Sequence, residues 1–573
     1  MKNKNLSIAA CLMISFNLFS QVGINTTTPE STLDIRAKNH LGTVTSNDGI
    51  LVPRVNSLAT NGSTNGQLVY LISDASPYFQ GFHYWNGTVW VRVTPLSTSS
   101  WSTTGNSGTI QTDNYIGTND NNPLKFRIHA YRSGRIDVNN TIIGYDSESQ
   151  NSFSNSTIFG AGSGNNINAS GAVIVGAQNV SSAMTGGSNT VVGFYSGRSI
   201  SSGNQNIFIG ESVANSISTG GGNIAIGNQA LGSANQNINN IVAIGVQAGA
   251  HAGGAKNILI GSSTGDHLSG DNSILIGESA GSQNSNSNNI MIGISSGATA
   301  GNSTLNTYLG NFTGQFVQGS NNTALGYAAL SSSKAGSSTA NNTVIGSNSG
   351  TSIIGENNVI LGANAGKGSN SNGSNGNGNT FLGTSAGTNY DTANNNVAIG
   401  YNSAKSNITG SANTNIGASS DAADNLSNAT AIGANSKVEA SNSLVLGSIN
   451  GINNATASAK IGIGTTTPNS SLQVAGSVSM SIKTISSDYN ITDSDYTIIK
   501  NSNSNITITL PDPSSTNIGR ILHIMNVGTT DTIVTTNTTP KIMKSTGSQN
   551  SINITSTVCL QSDGTYWYQI SGS

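Results

Sequence analysis

Residues 257–281 read NILIGSSTGDHLSGDNSILIGESAG, in which Ile258-Leu259-Ile260-Gly261 returns sixteen residues later as Ile274-Leu275-Ile276-Gly277. A three-residue apolar run that stops at glycine is a short strand with a turn behind it. The same glycine recurs at 144, 160, 176, 193, 210, 227, 245, 261, 277, 293, 310, 326, 346, 362, 383, 400, 417, 433 and 447. Most intervals are 16 or 17 residues, with excursions to 14, 18, 20 and 21. A fixed short period sustained over such a length is the signature of a solenoid.

The residues around each glycine carry the reading further. Immediately before it stands Ile, Val, Leu or Phe in every copy, as in Ile226, Ile260 and Leu361; three places before it stands Ile, Val, Leu or Thr, as in Ile224, Ile258 and Val359. Alternation along a strand puts these two positions on one face, which is expected to be the core of the roll. The residue between them is also apolar almost everywhere (Ala225, Leu259, Leu275, Met291, Phe381), with Asn415 the plain exception. Strands apolar on both faces are buried on both faces, so this middle position is expected to meet another copy of the chain. Replacing Leu275 and Met291 with Asp should then break the assembly. Three residues after the glycine comes a small residue (Ala230, Ala248, Ala280, Ala365, Ala386), expected on a shorter returning strand. Asn opens many strands, at 206, 223, 257, 289, 342, 358, 379 and 396, where a left-handed backbone and a local hydrogen bond suit a coil corner.

Composition agrees with an ordered β protein. Of 573 residues 35% are hydrophobic, only 8% are charged, Gly numbers 70, and the net charge is −2. Disorder pairs low hydrophobicity with high net charge, and nucleic-acid binding needs clustered Lys and Arg; neither description fits. Lys2 and Lys4 followed by LSIAACLMISFNLFS are expected to be a secretory signal peptide cleaved near Ser20, which leaves Cys559 as the mature chain's one cysteine and no disulfide.

Runs such as NIAIGNQAL, NSILIGESAG and NVAIGYNSA resemble the YadA-like heads of trimeric autotransporter adhesins. The resemblance covers roughly residues 140–449 and implies an all-β, left-handed parallel β-roll of about nineteen coils, three chains side by side as a homotrimer, and attachment to a host or environmental surface protein or glycan. The coiled-coil stalk and membrane β-barrel of that family are not evident after Met480. A signal peptide (1–20), an N-terminal β module with an aromatic hairpin at Asn86-Gly87 (21–97) and a connector or cap (98–139) precede the roll (140–449). A second connector (450–480) and a C-terminal β domain turning at Asp563-Gly564 (481–573) follow it. The N-terminal modules resemble those of large secreted Gram-negative proteins, and the C-terminal domain resembles tail-fibre tips, both read as small antiparallel modules. The segment VGINTTTPESTLDI from Val22 returns as IGIGTTTPNSSLQV from Ile461, identical at eight of fourteen positions, with a looser relative, YIGTNDNNPLKFRI, from Tyr115. A proline between two short apolar runs suits a joint that caps the roll's ends.

The sequence offers little chemistry. The histidines, at 40, 83, 129, 251, 267 and 523, form no pair at local metal-ligand spacing, so no metal centre or cofactor is expected. GANAGKG before Ser369 lacks the spacing of a phosphate loop. Carboxylates are sparse (Glu211, Asp266, Asp271, Glu278, Glu356); Asp266 and Asp271 share a corner that could hold a cation or act as an acid pair, but a glycan-cleaving enzyme wants aligned acids. Phe194, Tyr195, Tyr308, Phe312, Phe316, Tyr327 and Tyr401 are expected to pack at an interface or under loops rather than to stack on sugars. Regular outward Thr columns for ice binding are missing, because Thr falls three before the glycine on the inferred core face. The expectation is a non-catalytic, secreted or cell-surface adhesin-like fibre, with an inert spacer or surface-layer element as the rival. No bound nucleic acid and no membrane span in the mature chain are expected.

Overall fold

The computed structural model describes residues 21–37, 43, 45, 48–93, 115–129, 131–147, 153–299, 301, 303–332, 339–369, 373–537 and 541–572. The signal-peptide segment, Trp101 and His40 lie outside them. Among the described residues every regular element is a β-strand, and no helix is long and apolar enough to cross a membrane. The chain divides into two compact units, Met1–Gly117 and Thr118–Ser573, a border that falls inside the segment read as a connector.

The first unit opens on a pair of three-residue parallel strands, Val22–Ile24 and Leu33–Ile35. A four-stranded sheet follows, in the order Arg54–Val55, Leu68–Leu71, Gly81–Trp85, Trp90–Arg92. Its first pairing is parallel and the others antiparallel. Asn86 makes the expected turn by accepting the Thr88 and Val89 N–H groups at its Oδ1, both at 2.9 Å. Trp85 and Trp90 meet edge to face at 5.5 Å over Leu58, Val69 and Leu71, and the Trp90 indole N–H finds Thr60 O at 2.8 Å.

The second unit is dominated by one ladder. A hairpin, Leu124–Ile128 with Tyr131–Ile136, pairs antiparallel with Asn140–Ile143. From there each of the nineteen recurring glycines follows a strand, and those strands stack in parallel register up to Leu444–Leu446. Ile258, Ile274 and Ile290 are aligned partners in three successive coils, as are Leu259, Leu275 and Met291.

The faces are the reverse of the expected ones. The middle residue is the core: Ile142, Ile158, Val191, Phe208, Leu259, Leu275, Met291, Tyr308, Ile360 and their counterparts are buried, except Val445 in the last coil, which is partly buried. The flanking residues point out of the roll, with Ile207 and Ile209 each 37% exposed and Leu309 44%. The physical reason is the layer opposite. The small residue three after the glycine is buried as expected (Ala230, Ala248, Ala280, Ala365, Ala386), but it lies on a turn, not on a returning strand, in nearly every coil. Its neighbours hold positive φ, 56° at both Ser279 and Gly281, which no β-strand accommodates. That layer hydrogen-bonds coil to coil (Gly265 N–H to Ala280 O, 2.9 Å; Gly281 N–H to Ser296 O, 2.8 Å) and sits close enough to admit one strand side chain per coil. The three-residue strand presents its single middle residue and turns the other two away.

Two further columns fix the period. At Gly277 φ is +129°, and an added Cβ would stand 2.5 Å from the carbonyl oxygen of Gly293 in the next coil; only glycine fits such a close approach at that φ. The strand-opening Asn residues are buried and form a ladder: Asn358 Oδ1 accepts the Asn379 N–H at 2.9 Å while its Nδ2 donates to Gly376 O at 3.0 Å. They do not themselves take the left-handed conformation; the residue before often does, as at Asn357 (φ 61°) and Asn395 (φ 55°).

Beyond the roll, Ile461–Ile463 and Leu472–Val474 form a second parallel pair. In the C-terminal domain successive strands alternate between two sheets. Ile482–Ile485, Thr497–Lys500 and Ile521–Asn526 are therefore parallel neighbours in one, and Tyr489–Asn490, Ile506–Leu510 and Thr532–Thr536 in the other. Antiparallel pairing enters only with the closing strands, including Thr557–Ser562 with Trp567–Gly572 about the expected turn. Trp567 is fully buried in this core and donates to Pro511 O at 2.8 Å.

Candidate assembly face

The outward strand positions line up because the coils are in register. Val173 and Val175, Ile207 and Ile209, Val359 and Leu361, and Leu444 and Leu446 are each more than a third exposed. Nineteen strands at a spacing of about 4.8 Å make this column roughly 90 Å long. Thr shares the outer position before several of them: Thr307, Thr323 and Thr343 are exposed, flanking Leu309, Leu325 and Ile345. These outward threonines correct the expectation that Thr lies on the core face. Thr does face outward, but the other outward residue of each such strand is aliphatic or, at Phe159, aromatic, so no Thr-x-Thr column forms. A continuous aliphatic strip of this length exceeds what a monomer ordinarily exposes and marks an interaction surface.

The two TTTP segments are built alike. Val22 pairs with Leu33, and Ile461 with Leu472, in the same register. Ser31 Oγ donates to Leu33 O at 2.8 Å and Ser470 Oγ to Leu472 O at 2.9 Å. Asp34 accepts the Glu30 N–H at 3.0 Å where Gln473 accepts that of Asn469 at 2.8 Å. Their apolar residues stay outside: Val22 is 52% exposed, Leu33 55%, Ile463 56% and Leu472 58%. The looser relative at Tyr115 differs, since its apolar segment Leu124–Ile128 enters the antiparallel hairpin instead.

Sequence-derived candidates for chemistry scatter, with one exception. His83 is buried with Nδ1 3.0 Å from Gly81 O. His129 is exposed on the hairpin turn, and His523 lies beside Tyr496 and Cys559. Burial pushes the Cys559 thiol up, away from the reactive thiolate. Asp266 and Asp271 do not act as a pair, because Asp271 accepts the Ala255 N–H at 2.7 Å while Asp266 faces two histidines. His251 and His267 are not isolated: they stack at 4.8 Å, a coil apart, around Asp266. The signal in the sequence was the 16-residue interval, which is a contact distance only once the period is known.

GANAGKG is a coil corner with Ala365 in the core. Of the aromatics, Tyr308 is fully buried, and burial pushes its phenol up. Phe194 packs on Tyr195 with Arg198 over the Tyr195 ring at 4.7 Å, and Phe312 meets Tyr327 edge to face. Tyr327 and Tyr401, both just after a recurring glycine, stay more than half exposed, and Phe316 is half-buried.

Residues 23–108 match the family model described as a phage tail like trimerisation region. The match begins inside the first TTTP segment and takes in the aromatic sheet. It supports a homotrimer and a fibre-like structural protein. No curated protein matches the chain.

Proposed function

We propose that this chain is a secreted, non-catalytic trimeric fibre of the cell surface, whose rolls associate through the outward aliphatic strip and display their remaining surface for adhesion to a protein or glycan. The carrying observation is the strip itself: the outward residue before each recurring glycine is Ile, Val or Leu in every coil but the one at Phe159, all in register. The trimerisation-region match at the N-terminus supplies the number of copies. Three strips facing a common axis would give each strand a second buried face, as its composition demands. The TTTP pairs, too small to be stable alone, would pack as triplets and secure the chains before and after the roll. Export rests on the segment 1–20, and adhesion on the resemblance to adhesin heads; a fibre that only spaces or coats is the rival.

Light scattering on the chain lacking residues 1–20 should report three copies, and a monomer would end the proposal. A glycan and matrix-protein array probed with that trimer separates adhesion from spacing, since a uniformly blank array leaves the spacer.

A further inference from the structure

We propose that His251, Asp266 and His267 form a binding site for a divalent transition cation of the zinc class, bridging two adjacent coils. The two histidines are the sixth residues after Gly245 and Gly261, the same place in successive coils, and no other histidine occurs between residues 140 and 449. The backbone holds the coils in register beneath them: His251 N–H donates to Asp266 O at 2.8 Å and His267 N–H to Ser282 O at 3.1 Å. Above it the carboxylate reaches both rings, with Asp266 Oδ1 at 2.9 Å from His251 Nδ1 and Oδ2 at 3.3 Å from His267 Nδ1.

The rings lie 15° from parallel with centroids 4.8 Å apart. One donor atom from each of the three residues falls within 4.8 Å of the others. Metal–ligand bonds of about 2.0–2.2 Å put the donors of a tetrahedral ion about 3.3–3.5 Å from one another, so the backbone is already spaced for the ion. Only the side chains must move, because stacked imidazoles aim their in-plane lone pairs alongside each other. Both rings are more than half exposed, 53% and 62% by side chain, and free to turn.

Two imidazole nitrogens and one carboxylate select Zn²⁺, Ni²⁺ or Cu²⁺ over Ca²⁺ and Mg²⁺, which prefer all-oxygen sites. Three protein ligands leave a coordination position for water or an outside group. Bound, the ion would tie one coil to the next at the roll's edge.

Titration calorimetry of the full mature protein with Zn²⁺ should show one saturable site per chain. His251→Ala or His267→Ala should each weaken it by at least about 10-fold, a floor set by what losing a mere supporting residue costs a metal site. Cu²⁺ loaded at one equivalent should give an electron paramagnetic resonance spectrum with nitrogen hyperfine splitting, lost in the double variant. Exposed at the edge, these residues can be replaced without unfolding the roll, which an unchanged circular dichroism melt of the metal-free variants will verify. No saturable binding, or binding and splitting that persist in His251→Ala/His267→Ala, overturns the site.

Discussion

Gly387 holds φ at +61°, and a Cβ added there would lie 2.6 Å from the ring of Phe381. The same opposition recurs in the coils that follow residue 258: Leu259 faces Gly265, Leu275 faces Gly281, Met291 faces Gly297 and Ile360 faces Gly366. Where the middle residue is Ala324, the fourth residue after the glycine is Leu330, and Ala225 is answered by Leu231, both leucines fully buried at positive φ. From Leu259 to Phe381 every coil obeys this exchange of volume, as a close-packed interior requires. Gly387→Ala should therefore destabilise the roll by about 1–3 kcal/mol through overpacking, and Phe381→Ala by about 3–5 kcal/mol through the void it leaves. The double variant Phe381→Ala/Gly387→Leu copies the coils at 225 and 324, so it should recover much of the loss, with a coupling of roughly 1–3 kcal/mol. Urea melts of the four proteins check this; simple additivity would mean that the two residues do not share a slot.

At the scale of the coil, the one polar middle residue divides the core. Asn415 is fully buried, and its amide finds no hydrogen-bond partner among the described residues. Above and below it the apolar interior separates into a long cluster ending at Ala404 and a short one of Ala422, Ala429, Ala431 and Val438. Asp421 completes this polar layer. Burial pushes its carboxyl up from the ordinary value, against the opposing Ser406 N–H at 3.0 Å and the charge of Lys437. A carboxyl raised in the folded state binds its proton more tightly there than in the unfolded chain. Its contribution is thus fully present below about pH 3.9, the unfolded value, and is lost as the pH rises through the folded one. Asp421→Asn keeps the acceptor for Ser406 without the buried charge. It should melt above the wild type at pH 7, with the gap closing toward pH 4; a gap independent of pH would assign the effect to packing instead.

Coil geometry also explains what could be read in advance. Period, glycine, Asn column and small third residue were legible because each is imposed by one close contact repeated in every coil. Which strand face turns inward was not, since Leu275 and its neighbours Ile274 and Ile276 are equally apolar and alternation alone is symmetric between faces. The asymmetry lay instead in the pairing of Leu275 with Gly281 and of Ala324 with Leu330, a correlation across the turn. The His251, Asp266 and His267 group was hidden for a related reason: its members adjoin through the solenoid period, not through local spacing.

For the whole molecule, inverting the faces changes which substitutions separate assembly from folding. Deleting residues 462–474 removes the second TTTP pair, whose Ile463 and Leu472 stay more than half exposed among the described residues. The roll's melt should survive, while limited proteolysis should find residues 481–573 less protected if three such pairs secure the chains after the roll. The strip offers the sharper contrast. Leu275→Asp places a charge in a slot with no exposure, where an unpaired ion is costly enough to unfold the neighbouring coils, so lost β signal and aggregation are expected together. Ile258 and Ile290 are 37% and 39% exposed on the outward face. Ile258→Asp/Ile290→Asp should therefore keep the far-ultraviolet spectrum of the single roll. Its six like charges would face a common axis in the trimer, where mutual repulsion and desolvation cost several kcal/mol, and sedimentation equilibrium should shift toward monomer. A double variant that remains fully trimeric would show that the chains meet elsewhere, and the strip would then need another occupant.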